Sequence, residues 1–574
     1  MTVERESVDL SAARWAPGEQ ARYRAQQDVD RDGAGFAAGQ HGAVTVAHGG
    51  YAARAGLEAL KQGGTAIDAA MTTALAQIAL TGGATTSYFG IMSLVYFEAG
   101  TSKVHTMDAG WNTLAGEQDP LSIPGRIGFG SDAERRGTAP SGRTAMVGGF
   151  LKGVEAAHRR FGTLPFASLF TPAIELAEQG FPIDRFLHRS YTPRADDLAR
   201  LPATRAIFFK PDGSRYARGE TWCQPALAAT LRRIANEGSD YVYGGVWGEK
   251  LVAALAADGG RMTIEDLLAY EVIWADALIR PITDDYGVAT APWPNAGGVA
   301  LIEAQNLATV AGLGTGAHWT TSADALRAAL FTSTAINLLL YSPAVLAQVF
   351  PEIDFSPEAR VTLAHACKLW PIIEDGSLLG QWKRSSPLHS DTVVVVDRAG
   401  NIAAVTHSIN CIDWGRTAIN VDGISIGDPG SFQQGLIAET GPGTRLPFPS
   451  ENGILLKDGE AVLGFASMGA GLHARTLQGL LNVTRFGMGV EQAVNSAAFL
   501  PPARDAANGS VMVEVPAERF ERSVLEETGY AWREVPRDEA QRVEGIWVAV
   551  ARDPATGRIE AASHDRGNAD AVAY

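Results

Sequence analysis

The sequence predicts a layered α/β sandwich. Three observations carry this: runs rich in β-branched residues near both ends of the chain, a long helical middle, and strands followed again by helices in the last third. No internal repeat or low-complexity tract interrupts the order. With 574 residues, 46% of them apolar and 20% charged, the chain can bury a substantial core as one large domain or two.

Residues 1–39 read as a polar lead, loosely ordered. "GAVTVAHGG" is a first strand, and "YAARAGLEALKQGG" an amphipathic helix with Ala53, Leu57 and Leu60 on one face and Gly63-Gly64 as its stop. Thr65 is placed to cap "AIDAAMTTALAQIAL", which is apolar nearly all round and therefore buried. "GIMSLVYFEAG" and "KVHTMDAG" follow as strands. From Val147 to about Trp274 the spacing is helical, including "TIEDLLAYEVIW". A further helical stretch ends in "EDGSLLGQWKRSSP", an exposed loop by composition. "PLHSDTVVVVDRAGN" is then a polar cluster, a strand of valines and a turn, and "IAAVTHSIN" is the returning strand of a hairpin. "LHARTLQGLLNVTRFG" and "VEQAVNSAAF" supply two late helices.

A formal charge of −16 without a dense Lys/Arg run argues against nucleic acid or an anionic membrane surface as partner and leaves small molecules. Cys223, Cys367 and Cys411 lie too far apart for a CxxC pair, so neither a disulfide framework nor a zinc site is expected. The first residues lack a secretory pattern and no apolar run reaches spanning length, so a cytoplasmic protein without metal or cofactor is expected. The phosphate-loop, zincin and nucleophile-elbow motifs are absent. In "GFASMGAGLHARTLQG" small residues run straight into a helix, leaving N–H groups that can receive an oxyanion, although close helix packing asks for small residues equally.

Several stretches, in order, resemble the γ-glutamyltransferase family of N-terminal-nucleophile (Ntn) hydrolases: "GLEALKQGGTAIDAAMTTALA", "VGGFLKGVEAAHRRFGTLPFASLFTPAIELAEQGF", "GGRMTIEDLLAYE", "APWPNAGGVALIEAQNL", "VVDRAGNIAAVTHSIN" and "GILLKDGEAVLGFASMGAG". The resemblance implies a four-layer αββα fold and a precursor that cuts itself into a large and a small subunit. It implies a boundary between 40–389 and 390–574, with the cut between His389 and Ser390. The nucleophile stands seven residues before Asp397, at Ser390; a two-residue shift would make it Thr392. The nucleophile's own α-amine, titrating near 8, is then the base. By the same resemblance Ser408 bonds the nucleophile's oxygen, Asn410 orients the amine or touches substrate, and the N–H groups of Gly469 and Ala470 hold the oxyanion. Ala470 is compatible only if its φ is not positive.

The chain departs from the family where the glutamyl group is held. By the resemblance, the carboxylate-binding Arg position falls near Gly110, where no Arg is close in sequence, the paired serines correspond roughly to Phe448 and Pro449, and Asp428 lacks a second acid, with Ser431 the nearest polar residue. A buried carboxylate left without its Arg costs several kcal/mol, so γ-glutamyl compounds are expected to be poor substrates. Phe448, Trp414 and Trp111 suggest an apolar or flat ligand, and Arg445 or Arg416 an acid-binding alternative. The expectation is a self-processing hydrolase or acyltransferase cleaving an amide or acyl bond through an acyl-enzyme. Its large and small fragments would form a heterodimer, open to further oligomerisation. The alternatives are hydrolytic carbon–carbon cleavage by the same nucleophile and an uncleaved, non-catalytic binding relative.

Overall fold

The computed structural model describes residues 8–29, 35–125, 139–338, 343–379, 390–500, 502–505, 508–565 and 568–574. Fourteen of its strands form two large sheets: β1 (Gly35–Gly39), β2 (Ala43–Val46), β3 (Ile91–Glu98), β4 (Lys103–Ala109), β5 (Ile273–Asp276), β6 (Leu278–Pro281), β7 (Tyr286–Thr290), β8 (Ser390–Val396), β9 (Ile402–Ser408), β10 (Asn452–Lys457), β11 (Glu460–Met468), β12 (Ile546–Arg552), β13 (Ile559–Ser563) and β14 (Asp570–Ala573). The first sheet runs β14-β2-β8-β9-β3-β4-β5 and the second β1-β13-β12-β11-β10-β7-β6, antiparallel throughout.

The valine run shows how the layers assemble. Side chains alternate along a strand. Val393 and Val395 therefore join the core beneath α1 (Gly50–Lys61), α2 (Ala66–Leu80) and α3 (Phe150–Phe161), while Val394 and Val396 join the core shared with the second sheet. A strand buried on both faces reads as an unbroken apolar run. On the far side α5 (Ala296–Val310), α6 (Leu472–Thr484) and α7 (Val490–Asn495) cover the second sheet through Val299, Leu480, Val490, Phe465 and Trp547. The result is four layers, αββα. The sheets pack closely at Gly464, where a Cβ would lie 2.4 Å from a methyl of Ile402.

Thr65 caps α2 as expected, in a reciprocal box with Asp68. Three expectations need correction. The lead is not loose over residues 8–29: Leu10, Trp15 and Tyr23 are buried, and Trp15 packs on Tyr51 and under Arg54. The first strand is β1, which pairs with β13, so the sheet begins before residue 40. "EVIW" does not continue a helix, because Ile273 and Trp274 lie in β5, paired along β4; there tertiary pairing overrides a helical period. The predicted cleavage residue His389, with residues 380–388 before it, lies outside the described residues.

Strands from the two sides of residue 390 interleave in both sheets. β8 and β9 lie between β2 and β3, and β10–β13 lie between β1 and β7.

Candidate active site

Ser390 opens β8, half-buried, and its direct cross-strand partner is Ser408, the last residue of β9. Directly opposed residues of an antiparallel pair share a face with Cβ atoms about 4.5–5.5 Å apart. That face is the one Val394 and Ile402 turn toward the second sheet, so both hydroxyls stand at the end of the inter-sheet core. Ser408 Oγ accepts the N–H of Asn410 at 2.7 Å. Asn410 has φ +44°, a left-handed conformation that Asn tolerates better than most residues. Gly90 admits this strand end, since a Cβ there would lie 2.5 Å from the Ser408 carbonyl oxygen.

Thr392 shares the face of Ser390 one step inward and is wholly buried opposite Thr406. Its hydroxyl has no hydrogen-bond partner among the described residues.

Gly469 and Ala470 form the turn between β11 and α6. Gly469 has φ +87°, a region that favours glycine, whereas Ala470 is not among the positive-φ residues, the condition its side chain requires. Neither N–H donates to a backbone acceptor among the described residues.

The other sequence-predicted residues divide into two groups. Trp111 and Phe448 come together with Ile91, Ile123, Met146 and Leu446 in one closed apolar cluster, in which the Trp111 indole N–H has no described partner. Asp428 is buried beside it, Gly427 being the near neighbour of the Trp111 ring. One Asp428 oxygen accepts the Arg416 N–H at 2.9 Å, the other has no described partner, and burial raises its pKa. Ser431 is buried and donates its N–H to the Asp428 carbonyl at 3.0 Å.

Two residues are engaged elsewhere. Trp414 sits in the helix-side core, donating its indole N–H to the Gly82 carbonyl at 2.8 Å and meeting Phe208 edge-on. Arg445 is committed to Asp108 Oδ1 at 2.5 Å, Asn112 Oδ1 at 2.8 Å and the Glu271 carbonyl at 2.6 Å, stacked over Tyr270. Its pairing with Asp108 explains why an Arg next to the predicted ligand region is not exposed to a ligand.

Sequence reasoning missed a polar group behind Ser390, on the helix side of the sheet. Asp391 lies opposite His407. His407 Nε2 donates to Gln77 Oε1 at 2.9 Å, and Gln77 Nε2 donates to the His48 carbonyl at 2.7 Å. Asp391 Oδ2 is 3.9 Å from His48 Nδ1, and His48 Nε2 is 4.0 Å from Asp184 Oδ2. Burial drives Asp391 well above the carboxylate range, raises Asp184 to about 6, and depresses His48 to about 4 and His407 to about 3. The signal was present as alternation: in "SDTVVVV" Asp391 takes the face of Val393 and Val395, an apolar face by pattern.

The sequence matches the model of the family described as Gamma-glutamyltranspeptidase over residues 52–574. Among relatives, a glutathione hydrolase proenzyme of Pseudomonas sp. (strain A14) is 27% identical over 79% of this chain and 80% of its own length. The acylase ACY 1 proenzyme of Pseudomonas sp. (strain SE83) is 29% identical over 80% and 82%. The fold is shared with cephalosporin acylase from Bacillus halodurans at TM-score 0.76 and 21% identity, covering 94% of this chain and 97% of that one. With the two-sheet core, the Ser390–Ser408 pair and the glycine turn in place, the match over residues 52–574 makes this chain a member of the gamma-glutamyltranspeptidase family.

Proposed function

We propose that the chain is a self-processing amide hydrolase whose nucleophile, and site of self-cleavage, is Ser390. In maturation Ser390 Oγ attacks the carbonyl of the preceding residue, the amide becomes an ester, and water releases a carboxylate and the free α-amine of Ser390. In turnover that amine takes the Oγ proton as Oγ attacks the substrate carbonyl, and returns it to the leaving amine. Water then cleaves the acyl-Ser390 ester by the same route. The N–H groups of Gly469 and Ala470 receive the oxyanion, and Ser408 holds Oγ in line.

The observation that carries this is the contrast between two hydroxyls of one strand face. Ser390 is half-buried at the strand's start opposite Ser408, whereas Thr392 is closed in the core and cannot meet a substrate without opening the sheet. Relatives bearing the word proenzyme in their names support synthesis as a precursor. Because strands from both sides of residue 390 interleave, the two fragments would remain one heterodimer after the cut.

The acyl group preferred is apolar rather than γ-glutamyl, in the direction of the acylase relative. Gly110 offers no cation, and Trp111, Phe448 and Leu446 fill the neighbouring space with apolar side chains. Intact mass and N-terminal sequencing of the wild type, Ser390→Ala and Thr392→Ala test the nucleophile. A second chain beginning Ser-Asp-Thr, lost only in Ser390→Ala, supports it; a chain beginning Thr-Val-Val or an unbroken wild type overturns it.

A further inference from the structure

Once the bond before Ser390 is cut, the nucleophile becomes a chain terminus, and termini fray unless they are tied down. On the cleft side Ser390 must stay free to react. The first side chain available to hold the strand from behind is Asp391, and an apolar residue would be the simple choice there, because Val393 and Val395 continue the same face into the helix-side core. A buried polar group costs roughly 1–3 kcal/mol when its hydrogen bonds are not made. Yet Asp391 Oδ2, His48 Nδ1 and His48 Nε2 are all buried and make no well-formed hydrogen bond among the described residues, the Gln77 amide and the His48 backbone N–H being the other polar groups that face the Asp391 carboxyl.

The three atoms lie between two anchors. Asp391 Oδ1 accepts the Thr392 N–H at 2.9 Å, fixing the carboxyl to the nucleophile's strand. Asp184 Oδ1 accepts the Leu187 N–H at 2.7 Å, capping α4 (Arg185–Leu198), and its Oδ2 accepts the Asn568 amide at 3.2 Å. Between them stands the His48 ring, against Phe186, 3.9 Å from one carboxyl and 4.0 Å from the other. A shift of about 1 Å brings either gap to hydrogen-bond length. The donors and acceptors run one way: a neutral Asp391 gives its proton to Nδ1, and Nε2–H gives to the Asp184 carboxylate. The buried, depressed His48 and the elevated Asp391 agree with that assignment.

We propose that Asp391 and His48 are positioning residues for Ser390, acting as a chain from Asp391 through His48 to Asp184 that pins the freed strand terminus. This rests on Ser390 being the nucleophile, a reading whose own failure would appear separately as persistent activity in Ser390→Ala.

The experiment compares kcat, KM and thermal midpoint, per mole of active sites titrated by acyl burst, for the wild type, Asp391→Val, Asp391→Asn, His48→Phe and His48→Gln. The expected result is a kcat at least tenfold lower in Asp391→Val and His48→Phe, with KM within twofold and no lower midpoint, since each removes unpaired buried polar atoms. Asp391→Asn keeps a neutral donor and recovers most of the kcat lost in Asp391→Val, as His48→Gln recovers part of that lost in His48→Phe. If Asp391→Val does not mature, the His48 pair carries the comparison, being remote in sequence from the cut. The proposal is overturned if Asp391→Asn is as impaired as Asp391→Val, if the apolar variants keep wild-type kcat, or if kcat and midpoint fall together.

Discussion

Ser390 and Ser408 face each other across the last rung of the β8–β9 ladder, and the Ser408 hydroxyl already accepts the Asn410 N–H at 2.7 Å. That N–H fixes the position of the Ser408 oxygen. Ser408→Ala is expected to lower kcat by roughly 10–100-fold with little change in KM, and to slow maturation visibly on a denaturing gel followed over hours. Unchanged kcat and maturation would remove Ser408 from the reaction.

Gly469 occupies φ +87° with open space around its missing Cβ, so backbone conformation and not crowding demands glycine. Gly469→Ala should destabilise by about 1 kcal/mol and, by reorienting a donor, reduce kcat on the order of a hundredfold. Ala470→Gly, at a position without positive φ, should change kcat by less than about threefold if the turn's geometry is set by Gly469. Parallel urea denaturation separates the two effects.

Arg445 and Asp108 form a buried pair, and removing one partner leaves the other charge uncompensated. Arg445→Ala is therefore expected to cost about 3–5 kcal/mol of stability, read as a lower denaturation midpoint. Arg445→Ala would leave KM unchanged in whatever folded fraction remains; a large selective rise in KM would instead make this Arg a ligand group.

Placing a cation at Gly110 should not create γ-glutamyl activity. A Cβ on Gly110 would lie 2.9 Å from Asp108 Oδ1 and 3.2 Å from Arg445 Cδ, so Gly110→Arg has to displace an existing ion pair. The variant is expected to lose stability without gaining γ-glutamyl anilide hydrolysis, while the wild type cleaves an apolar acyl anilide with the higher kcat/KM. Preference for the γ-glutamyl substrate in the wild type would contradict the apolar assignment.

His407, fully buried and depressed to about 3 by desolvation, makes stability pH-dependent. Its folded pKa lies below the unfolded value near 6.5, so its contribution is complete above about 6.5 and is lost as pH falls toward 3. Asp184, raised to about 6, acts in the opposite sense: its contribution is complete below about 4 and is lost as pH rises through 6. Unfolding free energy of His407→Phe should therefore fall less steeply than that of the wild type between pH 6.5 and 4. Asp184→Asn should gain relative to the wild type as pH rises from about 4 to 6, with the full gain above 6.

The sequence by itself determined the layered architecture, the β8–β9 hairpin and the capped buried helix, because each rests on local pattern: alternation, a cap three residues from its partner, a turn of fixed length; the candidate nucleophile, Ser390 or Thr392, came from the resemblance to the family. The resemblance also implied that the family's glutamyl-binding residues are replaced here, an expectation that rests on residue identity alone. Only the tertiary structure decided which of two hydroxyls two residues apart is accessible, since Ser390 and Thr392 share a strand face and differ in what packs over them. The same holds for Arg445 and Trp414, whose partners Asp108 and Gly82 lie more than three hundred residues away in sequence. Asp391, His48 and Asp184 likewise come from three separate parts of the chain and meet only because β8 packs against the segments that precede α1 and α4. Burial and long-range partnership are properties of packing, and no short window of residues encodes them.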